Sequence, residues 1–183
     1  MKKIDLANIQ ESTGSERLPA GGYVCKYTKV EDVPEKQYLY IEFDIARGDY
    51  AGYYASLSES AGFWGGRCYR SYKETALPMF KRMCSAVSKS NNGYVFDAGE
   101  KNADEKTLVG KLVGIVMCEE EYVGNDGSTK TRLYVDRECS VEDIIAGKFK
   151  VKPLRKLDSG KQQTKKDDSF VNVPEGMPTD MPF

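Results

Sequence analysis

The chain contains no histidine. That absence removes Ser-His and Cys-His nucleophile pairs, histidine-ligated zinc and imidazole acid–base catalysis together. The absence argues against an enzyme without excluding a carboxylate-and-magnesium site. Long apolar runs are missing as well, and nothing approaches the ~20 residues a membrane helix needs. No apolar stretch follows Met1-Lys2-Lys3, so no signal peptide is expected and the expected compartment is the cytoplasm. Cysteine is sparse and scattered at Cys25, Cys68, Cys84, Cys118 and Cys139. An odd count without close pairs is not a zinc pattern and predicts free thiols. Gly62, Gly65 and Gly66 do not make a phosphate loop, because no Gly-Lys-Ser/Thr follows them. There is one tryptophan, Trp64.

What is present begins with size. The 183 residues, 40% hydrophobic and 30% charged, suit one globular domain with a proper core and some tail. The net charge of −1 conceals an uneven distribution. Residues 167–183 hold Asp167, Asp168, Glu175 and Asp180 and no base; without them 27 basic residues face 24 acidic ones, a body of +3. Just before, Lys148, Lys150, Lys152, Arg155, Lys156, Lys161, Lys165 and Lys166 form a basic stretch diluted by Asp158. A basic stretch followed by an acidic end suits a polyanion binder whose tail competes for its own site. A solvated linker of mixed charge is the alternative. The last residues, Asp180, Met181, Pro182 and Phe183, are too polar and proline-rich to serve a core. They read as a peptide held out for another protein.

Three regions follow: an N-terminal arm at 1–17, an ordered domain at 18–157, and a basic-then-acidic tail at 158–183 whose low apolar content predicts disorder. Within the domain, Pro19–Gly22 reads as a turn and Tyr23–Val30 as a strand. Leu39, Ile41, Phe43 and Ile45 alternate with Tyr38, Tyr40, Glu42 and Asp44, a period of two that predicts a strand with one buried face. A third strand is expected near Tyr50–Leu57, and Gly62–Tyr72 reads as a glycine- and aromatic-rich loop. Pro78 suits a first helical position, with Ala76, Phe80, Met83, Cys84 and Val87 on one face and Asn91-Asn92-Gly93 as the end. Leu108–Cys118 is a fourth strand, in which Gly110 and Gly114 allow bending. Gly124–Gly127 is a hairpin loop, and Thr131–Asp136 is a fifth strand with Leu133 and Val135 inward. Ser140 can cap a short helix ending at Gly147. This order predicts a mainly β fold with α: a five-stranded OB-fold-like Greek-key barrel with a helix between strands three and four.

A single-strand binder needs aromatic faces for bases and cations for phosphates. The run Phe63-Trp64-Gly65-Gly66-Arg67-Cys68-Tyr69-Arg70-Ser71-Tyr72-Lys73 interleaves four aromatics with three cations. Trp64 and Phe63 serve equally well as a plug for the barrel end. Tyr69 and Tyr72 are expected to face outward beside Arg67, Arg70 and Lys73. If Leu39 and Ile41 are core, Tyr38 and Tyr40 lie on the opposite face of their strand, where an OB-fold binds its ligand. Arg132 and Tyr134 are the matching outward pair on the last strand. Ordinary cross-strand tyrosine packing is the competing reading for Tyr38, Tyr40 and Tyr134. Glu119-Glu120-Glu121 and Glu31-Asp32 read as solvated strand ends rather than metal ligands, and neither metal nor cofactor is expected.

Four strings carry a resemblance: Leu-Pro-Ala-Gly-Gly-Tyr-Val at 18–24, Tyr-Leu-Tyr-Ile-Glu-Phe-Asp-Ile at 38–45, Gly-Phe-Trp-Gly-Gly-Arg at 62–67 and Val-Gly-Lys-Leu-Val-Gly at 109–114. They resemble a family of phage and prophage proteins of Gram-positive bacteria. These proteins are regarded as single-stranded DNA-binding or replication–recombination accessory proteins. Separately, Asp180, Pro182 and Phe183 resemble the terminal tip of bacterial single-stranded DNA-binding proteins. The chain departs from that tip at Thr179, where another aspartate is usual, and at Met181, where isoleucine is. Fewer acids weaken docking into a basic pocket.

The resemblances imply a non-catalytic protein of the bacterial host cytoplasm that coats single-stranded DNA during phage replication or recombination. Its tip, Asp180 to Phe183, would recruit replication and recombination enzymes of host or phage. Single barrels often pair to lengthen a binding track, so a homodimer is an expectation, and RNA stands open beside DNA. The alternative is a protein-interaction module, an inhibitor or adaptor of a host factor, without nucleic-acid binding. A magnesium-dependent nuclease ranks third, because the acids form no recognisable constellation.

Overall fold

Alternation builds the first half of the sheet. In the computed structural model, which describes residues 17–99 and 103–157, β1 (Gly21–Val33) pairs antiparallel with β2 (Tyr38–Ile45), from Cys25 opposite Ile45 to Val33 opposite Tyr38. Leu39, Ile41, Phe43 and Ile45 are buried as their period of two requires. A register shift between Tyr27 and Lys29 lets Tyr27 and Val30 both turn inward on β1. The N-terminal arm through residue 16 and the tail from residue 158, including the tip at Asp180–Phe183, lie outside the described residues.

The expected third strand is corrected. Residues Tyr53–Ala61 form a helix, α1, between left-handed Gly52 and Gly62. Its start is fixed from afar: both Asp44 carboxylate oxygens accept from the first turn, from Tyr54 N at 2.9 Å and Ala55 N at 3.3 Å. Tyr54 then buries its ring edge-on to Phe43. The true β3 is Arg67–Ser71, inside the stretch read as a loop, and it pairs with β2 from Arg67 opposite Glu42 to Ser71 opposite Tyr38. Gly66 leads into it because a Cβ there would stand 2.2 Å from the Phe43 carbonyl oxygen. No side chain fits that approach.

The helix between β3 and the fourth strand forms as expected. α2 (Leu77–Ser90) has proline in its first turn and buries Phe80, Met83, Ala86 and Val87. Asn91 ends it and ties it to the next strand: its amide donates to Val87 O and Leu112 O and accepts from Leu112 N. β4 (Leu112–Val123) and β5 (Thr129–Cys139) form a hairpin with a shift between Val116 and Met117. Gly110 precedes β4 in a left-handed turn, whereas Gly114 lies within it. The role of Gly114 is close packing, since a Cβ would sit 2.5 Å from Ile144 of α3 (Val141–Ile145). Ser140 caps α3 through Asp143 N, and left-handed Gly147 follows it, as expected.

Strand order across the sheet is β3-β2-β1-β4-β5, with every pairing antiparallel. The fold is thus mainly β, an open five-stranded antiparallel sheet with helices. Its two edge strands still touch, because Arg70 of β3 and Glu138 of β5 form a buried ion pair at 2.5 Å. Beyond α3 the chain returns as a strap, residues 148–157. Arg155 bridges to Glu120 beside β4, with Glu121 N donating to Arg155 O at 2.9 Å. No helix among the described residues is long and apolar enough to cross a membrane.

Candidate nucleic-acid interface

The outward positions of β2 and β3 bring three predicted tyrosines together. Tyr40 and Tyr69 are direct cross-strand partners with ring centroids 5.5 Å apart, and Tyr38 meets Tyr69 edge-to-face at 5.2 Å. All three are half-buried. Cations border them: the Lys29 ammonium lies 5.6 Å from the Tyr40 ring centroid, and Arg67 is two residues before Tyr69 on the same face. Acids are interleaved, with Tyr40 donating to Glu42 at 2.6 Å and Lys29 paired to Glu31 at 3.0 Å. Burial raises the Tyr40 phenol above its ordinary value, and the Glu42 hydrogen bond adds to that. Burial also raises Tyr69, with the Arg67 charge opposing. Both rings are therefore neutral near pH 7.

The other predicted residues distribute differently. Tyr72 leaves the end of β3, donates to Asp32 at 2.8 Å and packs edge-to-face on Phe80 of α2. Lys73 is exposed beside it. Trp64 is half-buried against the core, and its indole N–H donates to Gly66 O at 2.9 Å. Phe63 is half-buried next to it.

Arg70 is a correction. It was expected beside Tyr69 on the outer face, but it is only 7% exposed and points inward to Glu138. Strand parity decides this, because neighbours in β3 take opposite faces and Tyr69 is outside. Burial pulls the Arg70 guanidinium down, the Glu138 carboxylate overrides that, and the group is held above its ordinary value.

Arg132 and Tyr134 do lie on the outward face of β5, but that half is engaged. Arg132 donates to Glu120 at 2.9 Å and covers the Tyr122 ring. The Arg155 guanidinium sits 5.0 Å from the Tyr134 ring centroid and pairs with Glu120. Lys152 pairs with Asp136 and donates its backbone N–H to Cys118 Sγ, while Arg137 donates to Lys150 O. Glu120, expected as a solvated strand end, is instead buried at 5% exposure beneath these arginines.

Sequence reasoning missed Lys29 and Glu42 as members of the β2–β3 face. The signal was available only in part: Glu42 shares the parity of Tyr40, but Lys29 depends on the β1 register shift. Elsewhere, an open apolar groove of about 900 Å³ lies between α2 and residues 95–99, lined by Leu77, Phe80, Cys84, Val95 and Phe96 among others. All five cysteines are unbridged. Set against known proteins, the chain matches no family model and no curated protein.

Proposed function

We propose that this chain is a non-catalytic single-stranded DNA-binding protein that seats the strand on the outward face of β2 and β3. The observation that carries the reading is the contiguous group of Tyr38, Tyr40 and Tyr69 bordered by Lys29 and Arg67. An edge-to-face contact uses one ring's face and the other's rim, so the remaining faces can take bases. Each stacked base is worth roughly 1–3 kcal/mol by ring removal, without preference for sequence. The finer fold supports the same reading. A sheet ordered β3-β2-β1-β4-β5, with its edges in contact through Arg70 and Glu138, suits a partly open Greek-key barrel of the OB type. Cytoplasmic action in phage replication or recombination, and recruitment through Asp180–Phe183, rest on the sequence resemblances alone.

Interleaved Glu31 and Glu42 sharpen the expected salt response. With Lys29, Arg67 and Lys73 as phosphate contacts, the slope of log affinity against log salt should be only about −2. Tyrosine fluorescence or anisotropy titration of oligo-dT, oligo-U and duplex across salt tests this. Saturable binding of the single strands, with weak duplex binding, is the expected result. Absence of oligo-dT binding at low salt overturns the proposal. The observation favouring a protein-interaction module instead is the apolar groove along α2. Capture of a protein partner that survives loss of residues 176–183, with no nucleic-acid affinity, would decide for that reading.

A further inference from the structure

β3 is a short edge strand whose single hydrogen-bonded neighbour in the sheet is β2. Yet Tyr69, the ring that touches both Tyr38 and Tyr40, sits on it. What steadies its far side is ionic. Arg70 Nε donates to Glu138 Oε1 at 2.5 Å, with side chains 7% and 0% exposed, so β3 is joined to β5, the opposite edge of the sheet. The same guanidinium donates through Nη1 to the Tyr69 carbonyl at 3.1 Å. Tyr27 of β1 is buried close enough for the Glu138 and Arg70 charges to act on its phenol. Tyr27 Oη, Arg70 Nη2 and Glu138 Oε2 are buried without a hydrogen-bond partner among the described residues. A core built for stability alone does better with apolar residues than with an ion pair that leaves polar atoms unmet. The pair therefore calls for a role in geometry.

We propose that Arg70 and Glu138 are positioning residues: they latch β3 to β5 and thereby aim Tyr69 between Tyr38 and Tyr40. With Arg70 drawn inward, parity fixes its neighbour outward, and the Nη1 bond clamps the carbonyl between them. The inference rests on the reading that the β2–β3 face binds a single strand. It gives Arg70 a part in binding without any contact to phosphate.

Three variants of the full chain test it, Glu138→Gln, Arg70→Met/Glu138→Met and Arg67→Gln. Each is read by oligo-dT affinity, by salt slope, and by NMR contacts between the rings of residues 38, 40 and 69 without DNA. The latch predicts that Glu138→Gln weakens binding about tenfold with the slope unchanged, although simple electrostatics predicts tighter binding when a negative charge is lost. Arg67→Gln, by contrast, should flatten the slope by about 0.7, the single-strand increment for one phosphate contact. Should Glu138→Gln not fold, the apolar double variant keeps the test open, because it leaves no buried charge unpaired. It is expected to fold, to lose the Tyr38–Tyr69 contact and to bind about tenfold more weakly, on the scale of one stacking contact. Unchanged ring contacts with unchanged affinity overturn the latch. If the native chain binds no oligo-dT, the binding reading fails by itself. Ring contacts that persist in the double variant would then overturn the latch separately.

Discussion

The outward surface of the sheet carries tyrosine and arginine in both halves, and the halves treat them differently. On β2 and β3 the rings of Tyr38, Tyr40 and Tyr69 lean on one another, with Lys29 and Glu42 at the margin. On β4 and β5 the ring of Tyr134 lies under Arg155, and Arg132 is held by Glu120. There the strap supplies the cations, and Asp136 and Glu120 neutralise them. Residue type is shared, and partnership separates the two. A guanidinium already seated on a ring and bonded to a carboxylate must give up both before it meets a phosphate. Tyr38 and Tyr69 lean on rings, and Tyr40 on Tyr69 with the Lys29 ammonium to one side, so each half-buried ring keeps part of its face.

The largest effect should come from the first half. Tyr40→Ala with Tyr69→Ala removes two stacking faces at roughly 1–3 kcal/mol each, so oligo-dT affinity should fall about 100-fold. Tyr134→Ala should change it less than about two-fold, since its ring face is occupied by Arg155. Equilibrium titration of both variants side by side checks this. Comparable losses would mean that the strap moves aside and the halves form one track.

The second effect runs the other way, on stability. Glu120→Ala leaves Arg132 and Arg155 without their shared carboxylate. Glu120 is 5% exposed, but the side chain of Arg155 is 63% exposed and can turn to solvent. The cost should therefore be about 1–2 kcal/mol rather than that of a fully buried pair. A domain of this size would lose about 5 °C in Tm. Tryptic cleavage after Lys150 and Arg155 should quicken as the strap loosens, while oligo-dT affinity holds. A loss of affinity matching the loss of stability would tie the two halves together.

How much of this was legible depends on how far each cause lies along the chain. β2 and α2 were readable because their signals are local: four alternating apolar residues in one, proline and a spaced apolar face in the other. The Ser140 cap was local as well. α1 was not, because Tyr53-Tyr54-Ala55 has strand-like composition and the carboxylate that starts the helix is Asp44, ten residues before Tyr54. β3 hid behind its own inward residue, since an arginine at position 70 breaks the apolar alternation until Glu138 is brought beside it. Tyr38 and Tyr40 were placed outward by parity alone. That Tyr69 stands between them is a matter of register, and that the strap occupies Tyr134 depends on a bridge from Glu120 to Arg155. Neither is written in spacing.

The smallest effect is a titration, and it separates the halves by their phenols. Tyr40 is raised by burial and by its bond to Glu42, and Tyr134 is raised by burial with Lys152 opposing. Only the Tyr40 shift is large. An unfolded tyrosine releases its proton near pH ~10, while the folded Tyr40 keeps it. Between those values the folded state binds more protons than the unfolded one, so stability falls as pH rises. The contribution is complete below pH ~10 and is lost as pH climbs through the folded value. Tyr72, pushed up to about 12 by burial and its bond to Asp32, behaves alike on the same half. Oligo-dT affinity at fixed salt should therefore stay flat from about pH 7 to 9, with the Tyr40 and Tyr69 rings neutral. Difference absorbance of phenolate should show the step lost in Tyr40→Phe at higher pH than the step lost in Tyr134→Phe. In alkaline unfolding, Tyr40→Phe should flatten the decline of stability more than Tyr134→Phe does. Equal flattening by both would mean that Tyr134 is as enclosed as Tyr40, and the contrast between a ring among rings and a ring beneath a strap would lose its chemical basis.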